Sequence, residues 1–174
     1  MTPISEYREI PLTQNQVAIV DSEDYDKVAQ FRWFATWNIY TRSYYAVASD
    51  HTADGKRIHV FMHRLILGLR YGDKWRVDHI ENGNTLDNRK QNLRKCTASQ
   101  NAMNGRTHRD NKSGYRGVSW GGKREPMWIA QVCLNRKRVY RKGFKSKEDA
   151  AQVYALVAFV YHGEFCSVGK GLRS

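Results

Sequence analysis

Four side chains between residues 78 and 101 have the chemical types that phosphodiester hydrolysis requires. Asp78 and His79 are adjacent at the end of a short apolar run, and Asn92 and Asn101 follow in a turn-rich stretch. A phosphodiester resists attack because its anionic oxygens repel a nucleophile and its alkoxide leaves poorly, so a catalyst must deprotonate water and neutralise charge at one place. An imidazole titrates near pH ~6.5 and can take that proton. We therefore predict His79 as the base and Asp78 as a metal ligand.

Asn101 is predicted to lie one turn into a short helix that Thr97 opens as its N-cap. Its amide oxygen is a hard ligand, which suits Mg²⁺, Mn²⁺ or Ca²⁺ rather than zinc. If Asp78 and His79 close a strand, their side chains point to opposite faces, so a site that uses both needs a local bend. Residues 83–88 supply turn-forming residues just after the pair.

Each of these residues alone is more typical of a solvated loop or turn, by roughly three to one. Their order changes those odds, because DH, GN, LDN, NLR and a later Asn follow one another within one short segment. This segment resembles the HNH endonuclease family, in the phage and intron-homing branch where asparagine replaces the last histidine.

The resemblance implies two strands and a helix around one divalent ion, with a ββα-metal core at about residues 75–103. It implies His79 as general base, Asp78 and Asn101 as metal ligands, and Asn92 as the residue that orients the base. It also implies one Mg²⁺ or Mn²⁺ ion, no zinc, and hydrolysis to 5′-phosphate and 3′-hydroxyl ends. A single site of this kind cuts one strand, so we predict nicking, or double-strand cutting only through two copies. His63 is a second-rank catalytic candidate, and we favour a role in holding the N-terminal sheet against the site or in touching phosphate.

The charge of +12 is distributed unevenly along the chain. Residues 1–60 carry 6 Lys and Arg against 8 Asp and Glu, whereas residues 111–174 carry 13 against 4. A basic second half favours a polyanion, and we predict double-stranded DNA, with no membrane association and no small-molecule cofactor. The first residues show no signal-peptide pattern, so we expect a cytoplasmic protein, in a bacterium or a phage-infected host. Cys96, Cys133 and Cys166 form no CxxC pair, which argues against a zinc ribbon and against a disulfide framework.

The N-terminal third is predicted to form a small sheet. Residues 9–20 indicate a strand, and Ser22 is expected to cap a helix that ends near Phe31. Aromatic and β-branched residues at 33–49 predict a strand or hairpin, and a turn at Asp54-Gly55 leads into a further strand.

The C-terminal third has its own pattern after a predicted basic linker at residues 104–112. Strands are predicted within residues 115–120, 128–134 and 138–144, followed by a helix that Ser146 caps and Gly163 ends. The segments YRGV, KRVYRKGF and EDAA at their places resemble the APETALA2-type DNA-binding domain of plant ethylene-response factors.

That second resemblance implies a three-stranded sheet in the DNA major groove. It assigns base and phosphate contacts to Arg116, Arg138 and Tyr140, with Trp120, Trp128 and Gln131 behind them. From the residues alone, Trp128 and Tyr140 fit the core equally well. Ser119, Gln131 and Cys133 depart from the plant pattern, so the plant target sequence does not carry over.

We predict an α+β protein with an N-terminal sheet and HNH nuclease domain at residues 1–103, a linker, and a DNA-binding domain at residues 113–174. The predicted function is a metal-dependent homing-type endonuclease that nicks DNA as a monomer or weak dimer. An alternative is a catalytically inactive, sequence-specific DNA-binding or transcription regulatory protein. RNA binding through the basic tail is a third reading.

Overall fold

The computed structural model describes residues 7–166 apart from 82, 106, 108 and 109. These residues form small antiparallel sheets and a few helices. The predicted α+β class is confirmed. The chain divides into two compact units, Met1–Ala98 and Ser99–Ser174. The predicted linker at 104–112 includes Arg106, His108 and Arg109, which lie outside the described residues, and it stays a prediction.

The first unit opens with a hairpin of β1 (Tyr7–Pro11) and β2 (Val17–Asp21). The prediction of one strand over residues 9–20 is therefore wrong. Gln14 and Asn15 both adopt positive φ, at 60° and 53°, and reverse the chain between the strands. Glutamine is an unusual residue in the left-handed region, so residue types do not predict this turn.

A single-turn 3₁₀ helix (Ser22–Asp24) and helix α1 (Tyr25–Ala29) follow β2. Ser22 is not the N-cap, which corrects the prediction. Asp21 takes that position without capping, because its carboxylate accepts a hydrogen bond from the Lys90 backbone amide at 2.7 Å. Lys90 also pairs through its ammonium with the neighbouring acids Glu23 and Asp24.

Three strands form the main sheet of the first unit in the order β3 (Phe34–Asn38), β4 (Ser43–His51), β5 (Arg57–Phe61). This confirms the predicted hairpin and the turn at Gly55, whose φ is 79°. Helix α2 (Met62–Ile66) begins directly after β5.

A second hairpin, β6 (Arg76–His79) paired with β7 (Leu93–Cys96), completes the first unit. The core gathers apolar side chains from every part of this unit, from β1 to β7. Its buried members are Ile10, Ala18, Val20, Val28, Trp33, Ala46, Ala48, Met62, Ile66 and Leu93. Residues far apart in sequence thus hold the β6–β7 hairpin in place.

Helix α3 (Ala98–Met103) begins at the last residue of the first unit, directly after Thr97 as predicted. The second unit then forms the predicted three-stranded sheet, with β9 (Trp128–Leu134) between β8 (Val118–Trp120) and β10 (Lys137–Phe144).

Helix α4 (Lys147–His162) packs on this sheet through its small and aromatic residues Ala150, Ala151, Tyr154 and Ala158. The Ser146 hydroxyl accepts a hydrogen bond from the Asp149 amide at 3.0 Å, and Gly163 ends the helix at φ 55°. Both predicted helix signals are confirmed.

No helix among the described residues is long and apolar enough to cross a lipid bilayer. The thiols of Cys96, Cys133 and Cys166 are free. Burial raises the pKa of Cys96 to about 11, so this thiol is protonated and unreactive at neutral pH.

Candidate active site

The Asp-His pair ends strand β6, as the sequence predicts, and both side chains are buried at 6% exposure. Their neighbours differ. Asp78 stands opposite Arg94 in the hairpin, whereas the His79 ring lies with its centroid 6.1 Å from that of Tyr45. Consecutive strand residues alternate sides, which gives the two groups separate surroundings.

His63 lies against His79, with the ring centroids 5.1 Å apart and the planes at 75°. Helix α2 carries His63 directly after β5, and Phe61 and Tyr45 also pack on its ring, at 5.5 and 5.8 Å. Burial first, and then the charges of His79 and Arg64, lower the pKa of His63 well below its usual value. His63 is therefore neutral at physiological pH and covers one side of the His79 ring.

Asn88 is the residue that the sequence reasoning missed. It is 1% exposed, and its amide nitrogen donates to the Leu86 carbonyl at 3.0 Å, which fixes the side chain beside His79. Burial lowers the pKa of His79, while the neighbouring Asn88 side chain and the charges of Asp78 and Asp87 oppose that shift. The LDN segment is part of the HNH-like motif, but nothing in its spacing assigns the asparagine to the imidazole.

Asn92 ties together the loop that follows His79. Its amide oxygen accepts a hydrogen bond from the Glu81 backbone at 2.8 Å, and its amide nitrogen donates to the carbonyls of Asp87 at 2.9 Å and Asn84 at 3.3 Å. Asn92 was predicted to orient the base. The contacts favour an indirect action, through the loop that carries Asn88.

The same loop is fastened to the rest of the first unit. The Ile19 amide donates to the Leu86 carbonyl at 2.8 Å, and the Asn88 amide donates to the Ile19 carbonyl at 2.7 Å. The Thr85 hydroxyl donates to the Tyr44 carbonyl at 2.5 Å. These bonds connect the loop to β2 and β4, so two sheets position the residues around His79.

The Asp87 carboxylate is held by Arg89 through both oxygens, with Nε to Oδ1 at 2.8 Å and Nη2 to Oδ2 at 2.6 Å. Burial alone would raise the pKa of Asp87, but its hydrogen bonds with Arg89 outweigh that effect and lower the pKa. Asp87 is thus ionised near His79, where its field favours the protonated imidazole.

Asp78 is paired with Arg94, whose Nε and Nη2 both donate to Oδ2, at 2.9 and 2.7 Å. This bond fixes the orientation of the carboxylate. Asn101, the other predicted ligand, lies in helix α3 and is partly buried. A carboxylate and an amide oxygen form a hard donor set, and Mg²⁺ commonly binds one or two carboxylates together with substrate phosphates and water. The residue types therefore fit a Mg²⁺-class ion.

Among the described residues, one cluster of at least three His, Cys, Asp or Glu side chains lies close enough together to share a metal ion. It consists of Asp21, Glu23 and Asp24. Lys90 already binds all three acids, two through its ammonium and one through its amide. We assign no metal to this cluster, since a fixed cation satisfies it.

The second unit presents basic strands. Gln131 and Arg138 are exposed, on β9 and β10. Register places Arg138 opposite Cys133, but a bulge then shifts the pairing so that Tyr140 stands opposite Val132. Arg141 consequently takes the outer position opposite Gln131 that simple alternation would give to Tyr140.

The other predicted DNA contacts have mixed surroundings. Trp128 and Tyr140 pack against the buried cluster under α4, and Trp120 is 51% exposed with its ring 5.2 Å from that of Trp128. Arg116 is partly buried and donates through Nη2 to the Ala102 carbonyl. The roles of all six residues stay predictions.

A family model described as HNH endonuclease matches residues 60–103, which include His63, the Asp-His pair and both asparagines. An uncharacterized HNH endonuclease of Acanthamoeba polyphaga mimivirus is 32% identical over 154 residues, covering 88% of this chain and 74% of that protein. The chain belongs to the HNH endonuclease family. Protein 3.8 of Escherichia phage T7 is 34% identical over 95 residues, covering 51% of this HNH endonuclease and 71% of the phage protein. No solved structure gives a significant match.

This membership makes the chain a DNA nuclease, and HNH nucleases in general depend on a metal ion. The predicted HNH resemblance is confirmed at this level. The mimivirus alignment covers 88% of the HNH endonuclease, so it includes residues of both units.

Proposed function

We propose that this HNH endonuclease nicks duplex DNA with His79 as general base. The proposal rests on the environment of His79. Its imidazole is buried beside Asn88 and lies close to the carboxylates of Asp78 and Asp87. Burial lowers the pKa of His79, so the ring is neutral at pH 7 and can accept a proton. The two carboxylates then stabilise the imidazolium that forms.

In the proposed reaction, His79 takes a proton from water, and the water oxygen bonds to phosphorus in line with the departing 3′ oxygen. The bond between phosphorus and that oxygen breaks, and the departing 3′ alkoxide takes a proton from solvent water, which leaves 5′-phosphate and 3′-hydroxyl ends. Asn88 holds the imidazole, and Asn92 holds the loop that carries Asn88. His63 closes the pocket and keeps water away from one side of the ring. A single site of this kind cuts one strand, so we infer a monomer or weak dimer that nicks.

We propose Asp78 and Asn101 as the protein ligands of one Mg²⁺ or Mn²⁺ ion. When bound, the ion would neutralise a non-bridging oxygen and the leaving group. Arg94 holds the Asp78 carboxylate in one orientation, which lowers the ordering cost of binding. Asp78→Asn and Asn101→Ala should each raise the Mg²⁺ concentration needed for half-maximal nicking, whereas Asp50→Asn, at an exposed position in β4, should not. Unchanged Mg²⁺ dependence in both variants would reject this ligand pair.

Plasmid nicking tests the nuclease proposal. Supercoiled plasmid should relax to open circles with Mg²⁺ and stay supercoiled with EDTA. His79→Ala should abolish nicking and leave duplex binding intact, while His51→Ala, which removes an exposed histidine of β4, should cut normally. If wild type relaxes no plasmid with any divalent ion, the chain is instead the DNA-binding protein of the alternative reading.

We further propose that the second unit is an APETALA2-type domain that directs the nuclease to DNA. Its sheet of three strands on one helix and its exposed cations on β10, among them Arg138 and Arg141, support this role. Duplex DNA should compete for binding better than structured RNA. Stronger competition by RNA would favour the third reading.

The two named relatives are viral. We propose that the nuclease acts in the cytoplasm of a bacterium or an infected cell, in a homing or related mobile-DNA role. Cleavage of a recipient plasmid that lacks the host element, with protection of one that carries it, would test the homing role.

A further inference from the structure

An open cavity of about 270 Å³ lies at the end of the main sheet of the first unit. It is large enough for one planar base. Its walls come from β3, from the turn between β3 and β4, and from one aromatic residue each of β4 and β5. The lining residues are Thr36, Trp37, Asn38, Ile39, Tyr40, Tyr45 and Phe61, and none of them is acidic.

The cavity shares two aromatic side chains, Tyr45 and Phe61, with the surroundings of His79 and His63. Tyr45 lines it and also lies 6.1 Å from His79 and 5.8 Å from His63, measured between ring centroids. Phe61 lines it and lies 5.5 Å from His63. A molecule in the cavity would therefore contact the same aromatic side chains that surround the general base.

The rim exposes apolar groups that are held in place. Tyr40 is 90% exposed and Ile39 is 69% exposed, while Trp37 is 48% exposed and packs edge-on against Tyr44 at 5.0 Å. The Asn38 side chain accepts hydrogen bonds from the backbone amides of residues 40 and 41, at 2.9 and 3.2 Å. This asparagine turn orders the rim before any ligand arrives, which lowers the cost of binding.

The chemistry of these walls suits a nucleobase. Every base has a π face that can stack on tyrosine or tryptophan, and such stacking needs no particular base sequence. Arg42 is exposed in the same turn and offers a cation to the phosphate that adjoins the base. No carboxylate lines the cavity, so its walls do not repel that phosphate. A protein side chain would use the apolar area but would need neither the flat rings nor the cation.

We propose that this cavity receives a single unstacked base of the DNA strand next to the phosphate that is cut, with the base stacked on Tyr40 and Trp37. The inference rests on the proposed role of His79, because that role places the cut phosphate beside Tyr45. Removing one base from the duplex stack would also loosen the backbone that His79 must reach.

The test uses the full chain without metal, so that binding is measured with no cutting. A duplex is chosen from the hydroxyl-radical footprint of the metal-free complex, and binding is followed by fluorescence anisotropy. Tyr40→Leu keeps apolar volume but removes the flat ring, and Tyr40→Trp keeps a ring. Phe159→Leu, at a position that is 65% exposed on α4, is the matched control.

Tyr40→Leu should weaken binding roughly 10-fold, since stacking on an aromatic side chain contributes about that much per base. Tyr40→Trp and Phe159→Leu should bind like wild type. The loss in Tyr40→Leu should disappear when the duplex carries an abasic site at one particular position, because no base is then left to stack.

Equal binding by Tyr40→Leu and wild type would overturn the inference, and so would a loss that no abasic position removes. A Tyr40→Leu loss that accompanies dissociation of a dimer in sedimentation would assign the cavity to a second copy instead. None of these outcomes depends on nicking, so failure of the plasmid assay and failure of the base pocket are separate results.

Discussion

The imidazole rings of His63 and His79 lie edge to face, with their centroids 5.1 Å apart, although sixteen positions separate the two residues in the chain. Burial lowers the pKa of each ring, and the charge of His79 lowers that of His63 further. Two imidazoles in contact resist double protonation, so this arrangement favours the neutral forms of the two rings.

This arrangement makes stability depend on pH. The unfolded chain binds protons at its histidines near pH ~6.5, whereas buried His63 stays neutral, so the free energy of unfolding should fall as pH drops below that value. His63→Phe keeps a ring but removes the titration. Its urea-unfolding free energy should fall less steeply between pH 6.5 and 5.5, by up to about 1.4 kcal/mol per pH unit. Identical slopes in variant and wild type would show that His63 is protonated in the fold.

Asn88 supports the protonated form of His79, and its loss should therefore shift the pKa of the ring in a known direction. In metal-free Asn88→Ala, the NMR titration of His79 should move to lower pH than in wild type. Nicking should slow by about 100-fold, because a base that is no longer held is misplaced relative to its substrate. A rise in the His79 pKa would contradict the assignment.

We expect Asn92 to contribute mainly to the stability of the fold and only indirectly to catalysis. Asn92→Ala leaves the Glu81 amide and the Asp87 carbonyl without their partner, which should cost about 1–3 kcal/mol for each such group that stays buried. Asn92→Asp keeps the acceptor for the Glu81 amide but sets a buried carboxylate oxygen against the carbonyls of Asp87 and Asn84, so it should cost at least as much as Asn92→Ala. Urea unfolding of the three proteins measures this order, and equal stability of all three would mean that water replaces these bonds.

Gly117 and Gly122 form a matched pair in the second unit, since both adopt positive φ, at 66° and 85°. A Cβ on Gly117 would fall 1.9 Å from a ring carbon of Tyr154, whereas one on Gly122 would meet open space. Gly122→Ala should cost about 1 kcal/mol from the backbone alone. Gly117→Ala should cost roughly 3 kcal/mol or more, because the Tyr154 ring must also move. Thermal unfolding compares the two, and equal losses would contradict the close approach.

Arg138 offers a test of the proposed targeting domain. If its exposed guanidinium contacts a phosphate, Arg138→Ala should weaken duplex binding and lower the slope of log K against log salt concentration by about 1. Lys147→Ala, at the start of α4, should leave the slope unchanged. A weakened complex with an unchanged slope would indicate a base contact, and unchanged binding would remove Arg138 from the interface.

The elements with strong local signals were predictable from the sequence. The strand Trp128–Leu134, the Ser146 cap and the Gly163 stop each depend on the chemistry of one or two neighbouring residues. The position of the Asp-His pair at the end of β6 was also predicted correctly, because turn-forming residues follow the pair directly.

The features that could not be predicted from the sequence depend on distant partners or on unusual backbone angles. The turn at Gln14 and Asn15 places non-glycine residues at positive φ, and the bulge after Arg138 has no sequence signature that would move Tyr140 to the helix side. Asn88 reaches His79 through a loop that is fastened to Ile19, and no pattern in residues 78–101 shows that attachment.

The hydrogen bond between the Thr85 hydroxyl and the Tyr44 carbonyl limits which fragments of this nuclease can fold when fused to another protein. The family match starts at residue 60, yet the loop around His79 depends on β2 and β4, both of which precede that point. A fragment that begins at the match would lose these supports and part of the core. The smallest portable cutting module therefore has to include the first hairpin at Tyr7–Asp21, and fusions designed on the motif alone should express as unfolded chains.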